Sequence, residues 1–331
     1  MPAPLDATYI REIVEEIAKN TRFLVFTHEV PDGDTIGSSL ALAAVLRQVG
    51  KQVFVVSADG VPEVYRFLPG AAEVLLPEEV PLGFARGCCA VLVDCGEMSR
   101  SRGSEELLQV AHTVINIDHH VSNTRFGHIW WVDTTASSVG EMVFYLIKAM
   151  GCELSPAVAT CLYTAVCTDT GSFRYSNTTA RCLEVASELV KSGAKPDEVS
   201  EHVYETKSVS SLRLLGVALG NLQLHPSGKI AWITLSLDEM AKVGASEEES
   251  EGLVNYARSV RGVEVGIVFR ETPGGSIKVG FRSRKHVDVA KLAEEFGGGG
   301  HPRASGCTIT SQKLEHVVRV VVDRVAAVLG L

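Results

Sequence analysis

Short unbroken apolar runs alternate with helical periodicity through the first half of the chain. Residues 8–19 carry Ile10, Ile13, Val14 and Ile17 on one face, which predicts an amphipathic helix. Phe23-Leu24-Val25-Phe26 reads as a buried strand. An Asp32–Asp34 loop follows, then a small-residue helix from Ser38 to Leu46. Further strands are predicted at Val53–Val56, Ala90–Val93 and Val114–Ile117, and helices at 138–150, 155–167 and 179–191. The strands are continuous rather than alternating, as expected when both faces of a sheet are covered. The expected fold class is therefore α/β, with a doubly wound, mostly parallel sheet in residues 1–190.

The pattern changes after Lys191-Ser192-Gly193-Ala194-Lys195-Pro196-Asp197, a turn-rich stretch. Residues 191–215 read as a linker with a helix over 197–208. A smaller α+β unit is expected over 216–331. It has strands at Ile230–Leu235, 263–270, 276–282 and Cys307–Thr310. Its helices are an acidic one near 246–258, one at 288–296 and a final one at 312–329.

Length and charge narrow the function. The 331 residues suffice for two ordinary domains. The longest uncharged stretch, about fifteen residues at 154–168, is short of the roughly 20 that a membrane span needs. Met1–Asp6 has no basic segment leading into an apolar run, so no signal peptide is expected. Eight cysteines without a CxxC pair read as reduced core thiols of a cytoplasmic protein. The net charge of −9 argues against coating duplex DNA, yet leaves room for a small anion held by metals and local cations.

The candidate chemistry lies where strands meet loops: His28-x3-Asp32-x-Asp34, then Asp94, then Asp118-His119-His120, then Asp169. Single acids after strands are commonly turn formers or helix caps. Three at strand ends with histidines beside them point to a site, because open α/β sheets bind ligands at that edge. Asp94 follows four apolar residues, where a buried carboxylate needs a cation or donors. His119 and His120 diverge on an extended backbone, so one can bind metal while the other faces substrate, with Asp118 as an orienting acceptor. Imidazole and carboxylate ligands without thiolate suit Mn²⁺, Mg²⁺ or Co²⁺. Six such ligands exceed the needs of one hydrated ion, and two ions sharing a carboxylate form a hydrolytic arrangement.

A second feature is Gly297-Gly298-Gly299-Gly300-His301 between a helix and a strand. Consecutive glycines can close on an anion as a nest of backbone N–H groups. Residues 270–303 hold seven Lys/Arg against four acids, a local excess of cations in an acidic chain.

Taken in this order, these motifs resemble a DHH-family phosphoesterase with the DHH-associated C-terminal domain, of the short nano-RNase and pAp phosphatase type. The resemblance covers nearly the whole chain. It implies an active site in the cleft between the two domains. It implies one Mn²⁺ on His28, Asp32 and Asp94 and a second on Asp34, Asp94, His119 and Asp169, with Asp94 bridging. His120 would face the substrate phosphate and protonate the leaving oxygen. Arg282, Ser283, Gly298, Gly299, Gly300 and His301 would bind the rest of a nucleotide, with Arg303 and Arg100 as further contacts. Ser305 departs from the alanine of many relatives. The implied activity is Mn-dependent hydrolysis of short oligoribonucleotides and of 3′-phosphoadenosine 5′-phosphate (pAp). Hydrolysis of cyclic di-AMP or a linear dinucleotide is the alternative. A non-catalytic nucleotide sensor is the remote one, since no expected metal ligand is missing. Partners would be short RNA, pAp or dinucleotides, not duplex DNA or a membrane, and a homodimer is compatible with the resemblance.

Overall fold

Alternate residues of the central strands enter two separate cores. Phe23 and Val25 face one, Leu24 and Phe26 the other; Val91 and Val93 oppose Ala90 and Leu92 in the same way. This two-sided burial is the physical reason for the unbroken apolar runs. The structure is a computed structural model describing residues 7–331. Met1–Asp6, read above for a signal peptide, lies outside the described residues.

The first unit, Met1–Thr206, opens with α1 (Ala7–Lys19), β1 (Arg22–Phe26), α2 (Gly33–Gln48) and β2 (Gln52–Val56). There follow α3 (Leu82–Ala85), β3 (Cys89–Val93), α4 (Glu105–Val110), β4 (Thr113–Asp118) and β5 (Ile129–Val132). The helices α5 (Val139–Ala149), α6 (Pro156–Asp169), α7 (Ala180–Lys191) and α8 (Pro196–Ser200) lead to one π-helical turn, Glu201–Glu205. The strands run in the order β2-β1-β3-β4-β5, and every pairing is parallel. One core gathers α1, α2, α5, α6 and α7 against the sheet; the other packs α3 and α4 on the opposite face. The strand order reverses between β1 and β3, the switch point at which such sheets bind ligands.

The second unit, Lys207–Leu331, contains α9 (Val209–Gly220), β6 (Gln223–Leu224), β7 (Ile230–Leu235), α10 (Leu237–Val243) and α11 (Val254–Ser259). It continues with β8 (Val265–Glu271), β9 (Ile277–Ser283), α12 (Val289–Glu294), β10 (Gly299–His301), β11 (Ala304–Ile309) and α13 (Leu314–Val328). Its mixed sheet has the order β10-β11-β9-β8-β7-β6. Phe269, Val279 and Phe281 pack under α12 and α13, whereas Ala231, Ile233 and Leu235 pack under α9, α10 and α11.

Several expectations shift. The helix expected from Ser38 begins at Gly33, because Asp32 caps it: its side chain accepts from the N–H groups of Asp34 and Thr35. The acidic helix near 246–258 is two pieces, a 3₁₀ turn at Glu248–Ser250 and α11, parted at Gly252, whose φ is +78°. The segment read as a linker divides between the units: Val199 and Val203 join the first core, Leu214 the second. The strand β5, the apolar run Ile129-Trp130-Trp131-Val132, was passed over although it is as long as the runs read as strands. The glycine run does not form the expected nest of alternating backbone turns. Gly299–His301 is an extended edge strand paired with Ala304–Gly306. A Cβ on Gly298 would lie 2.1 Å from the Gly306 carbonyl oxygen, so close backbone approach explains that glycine. All eight cysteines are free, and no helix among the described residues is long and apolar enough to cross a membrane.

Candidate metal centre

Three parallel strands bring acidic or imidazole side chains to one point of the sheet edge. His28 stands just past β1, Asp94 just past β3, and Asp118 closes β4. The Glu29 carbonyl lies 2.7 Å from His28 Nδ1; being an acceptor, it requires the proton on that nitrogen. Nε2 is thereby turned toward Asp94 Oδ2 at 3.4 Å and Asp32 Oδ1 at 3.7 Å.

Asp94 adopts φ +60°, uncommon for a non-glycine residue, and its N–H donates to the Ile117 carbonyl at 2.9 Å. It is 2 % exposed. Its second oxygen, Oδ1, faces the other side of the site, 3.6 Å from His119 Nε2 and 3.4 Å from His120 Nδ1. This buried oxygen has no hydrogen-bond partner among the described residues.

Asp34 is buried in the first turn of α2 and crosses to the start of α5. Its carboxylate accepts the Val139 N–H at 2.6 Å, the Gly140 N–H at 2.8 Å and the Ser38 hydroxyl at 3.2 Å. Asp169 ends α6 and accepts from Asn177 Nδ2 at 3.3 Å. The two acids come together because α2 and α6 are nearly in backbone contact: a Cβ on Gly37 would lie 2.4 Å from the Cys161 carbonyl oxygen. His119 Nε2 sits 3.8 Å from Asp169 Oδ2 and 4.0 Å from Asp34 Oδ2. Its Nδ1 is held by the Ala136 carbonyl at 3.3 Å, an arrangement that fixes which nitrogen is available as a ligand.

Three sets of side chains thus have ligand atoms within 4.8 Å of one another: His28, Asp32 and Asp94; Asp34, His119 and Asp169; Asp94, His119 and His120. The donors are all imidazole nitrogen or carboxylate oxygen, which suits a hard divalent cation. The unpartnered Asp94 Oδ1 fits the same group, since a bare buried carboxylate oxygen is costly without a cation.

The charge state of the protein alone points the same way. Burial by itself would lower the His28 pKa, but Asp32 and Asp94 outweigh it and raise it to about 10. Burial likewise opposes the His119 imidazolium, while Asp169, Asp94 and Asp34 raise it to about 10. Asp169 is pushed up to about 7 by burial and by Asp94 and Asp32. Asp34 is raised well above the ordinary carboxylate range by burial, Asp94 and Asp169. Crowding thus favours the protonated forms of Asp34 and Asp169, and divalent cations relieve the same repulsion.

His120 and Asp118 form a separate pair. His120 Nδ1 lies 2.7 Å from Asp118 Oδ1, and Asn123 Nδ2 donates to Asp118 Oδ2 at 2.6 Å. Asp118 is fully buried; burial would raise its pKa, yet the His120 hydrogen bond brings it down to about 2. Arg100 places a guanidinium nitrogen 3.3 Å from His28 Nδ1, and its carbonyl accepts the Glu29 N–H at 2.6 Å.

Sequence reasoning passed over the residues that hold this set in place. Asn177 joins the Ser137 carbonyl to Asp169. The fully buried Glu141 accepts from the Ser137 N–H and from the buried Arg181, bracing the loop whose Ala136 carbonyl meets His119. An isolated asparagine or an interior helix acid carries no spacing that would single it out.

In the second unit, Arg282 lies on β9 opposite Ala304, and Arg303 Nη1 donates to the Val287 carbonyl at 2.8 Å. The buried Ser283 hydroxyl donates to the Pro302 carbonyl at 3.3 Å. Arg282, Ser283, Gly298–Gly300 and Arg303 therefore share one end of the β9-β11-β10 region, with His301 on the same hairpin.

Residues 22–166 match the DHH family, N-terminal domain, and residues 230–327 match the DHHA1 domain. The chain is similar to the bifunctional oligoribonuclease and PAP phosphatase NrnA of Thermus thermophilus. Identity is 36% over 316 residues, covering 95% of this chain and 92% of that protein. The protein of the same name from Bacillus subtilis is 31% identical over 305 residues, covering 91% and 93%. Among solved structures, an exopolyphosphatase-related protein from Bacteroides fragilis superposes with a TM-score of 0.93 at 29% identity, over 100% of both chains.

Proposed function

The chain belongs to the DHH family, and from that premise we propose that it is a phosphoesterase that degrades short oligoribonucleotides to mononucleotides and dephosphorylates pAp. The observation that carries a two-cation reading is Asp94. Its oxygens face opposite ways, Oδ2 toward His28 and Oδ1 toward His119. His28, Asp32 and Asp94 would hold one ion; Asp34, Asp94, His119 and Asp169 the other. Mn²⁺ is the preferred ion, with Mg²⁺ or Co²⁺ as substitutes. Bound there, two divalent cations neutralise phosphate charge and acidify an attacking water.

The chain supplies the rest. Asp118 keeps the proton on His120 Nδ1 and favours the imidazolium, leaving Nε2 to protonate the departing oxygen. The Ala136 carbonyl keeps His119 Nε2 turned inward. Arg282, Ser283, Gly298–Gly300, His301 and Arg303 bind the distal part of a nucleotide, and Arg100 contacts phosphate. Charge supports this division, since the ligand set ends at Asp169 while the cationic excess lies in 270–303. Free thiols throughout fit a cytoplasmic location.

A substrate panel with Mn²⁺ tests the reading: dinucleotide to long RNA, pAp and cyclic di-AMP, compared by kcat/KM. Short RNA and pAp are expected to lead. A lead for cyclic di-AMP would move the protein to the cyclic dinucleotide phosphodiesterases.

A further inference from the structure

Between the two ligands His28 and Asp32 the chain passes through Val30 at φ +51°. This left-handed backbone is uncommon for any residue with a Cβ, and Val30 is β-branched and precedes Pro31, both of which favour extended backbone. Burial does not enforce it, because Val30 is 66 % exposed. Two hydrogen bonds do hold the loop. The Val30 N–H donates to Asp59 Oδ2 at 2.7 Å, and the Glu29 N–H donates to the Arg100 carbonyl at 2.6 Å. Asp59 lies in the turn after β2, which is closed by the Ser57 hydroxyl on the Gly60 carbonyl at 2.8 Å. Its other oxygen, Oδ1, accepts from Arg102 Nη2 at 2.7 Å.

The ion pair gives no large stability of its own. Asp59 and Arg102 side chains are 32 % and 63 % exposed, and such surface pairs contribute little. Its consequence is geometric. Arg102 aims the carboxylate, and the carboxylate holds Val30, the left-handed residue between His28 and Asp32.

We propose that Asp59 is a positioning residue for the cation site of His28, Asp32 and Asp94, acting through the Val30 N–H. The inference rests on the two-cation reading and adds to it a residue outside the ligand set. It makes the two sites unequal in their dependence on Asp59, because Asp34, His119 and Asp169 are held by α5, α6 and the Ala136 carbonyl instead.

The test is Mn²⁺ binding followed by calorimetry and electron paramagnetic resonance on the full chain, with hydrogen exchange of the Val30 amide in metal-free protein. Wild type is expected to bind two ions. Asp59→Ala is expected to weaken one of them by about tenfold or more and to leave the other within about twofold, in the range seen when a group supporting a ligand is removed. Asp59→Asn, which keeps an acceptor oxygen, is expected to retain most of the affinity. Val30→Gly, which removes the torsional penalty, is expected to restore part of the loss in the Asp59→Ala background. The Val30 amide is expected to exchange faster in Asp59→Ala. Unchanged binding of both ions in Asp59→Ala, or equal weakening of both, overturns the proposal. Fewer than two ions on wild type overturns the two-cation reading itself, a result separable from the first.

Discussion

His120 Nδ1 lies 2.7 Å from Oδ1 of the fully buried Asp118, so the imidazole presents Nε2, and not Nδ1, for chemistry. His119, its neighbour in sequence, is turned the other way, with Nε2 among Asp34, Asp94 and Asp169.

This pairing predicts separate roles for adjacent residues. His120→Ala should keep two bound ions and lose roughly 10²–10⁴ in kcat on nucleotide substrates, the usual worth of a positioned acid. A p-nitrophenyl ester, whose leaving group needs no proton, should lose far less. His119→Ala should lose metal. Metal analysis and steady-state kinetics on both variants check the assignment, and the reverse pattern sinks it.

Asp94 predicts a stability effect opposite in sign to its effect on activity. Its Oδ1 is buried and accepts no hydrogen bond among the described residues, and its charge repels the buried Asp34 and Asp169. Asp94→Asn should therefore raise the Tm of metal-free protein by a few degrees, since relieving about 1 kcal/mol shifts Tm by roughly 2–4 °C in a domain of this size. The same substitution should abolish turnover and the Tm rise that Mn²⁺ gives wild type. Thermal scans with and without Mn²⁺ measure both; a lower metal-free Tm in the variant contradicts the argument.

Acid should weaken the second unit through Glu264. Burial alone would raise its pKa, but the N–H groups of Lys285, His286 and Val287 all donate to Oε1 and lower it. A carboxylate with a lowered folded pKa stabilises above its ordinary pKa, near 4.5, and loses that contribution as pH falls through the folded value. Glu264→Gln should thus be less stable than wild type at pH 7, with the gap narrowing as pH drops below the ordinary carboxylate range. Urea unfolding from pH 7 to pH 3 tests it; a gap independent of pH assigns the effect to packing.

Arg282 tests the division of labour. Arg282→Ala should lower kcat/KM on dinucleotides and pAp by about tenfold or more, about 1.4 kcal/mol per decade. Bis-p-nitrophenyl phosphate should change much less. Equal losses on both would put Arg282 in the chemical step.

The strand-end positions of His28, Asp94 and Asp118 were legible in the sequence, because burial on both faces forces unbroken apolar runs whose ends can be counted. The residue types there are imidazole and carboxylate, and the structure brings those donor atoms within 4.8 Å of one another in three groups. The turn-rich stretch near Gly193 marks a change of pattern, whereas the compact units divide at Thr206 and Lys207. Side-chain direction was not legible. Asp34 is aimed by N–H groups of Val139 and Gly140, more than a hundred residues away, and His119 by the Ala136 carbonyl. The glycine run was misread as a nest because its conformation depends on pairing with Ala304–Gly306 across a hairpin. Local sequence determines which residues reach the sheet edge; contacts between distant segments decide which atom each one presents, because hydrogen bonds and steric fit select among rotamers that the chain alone leaves open.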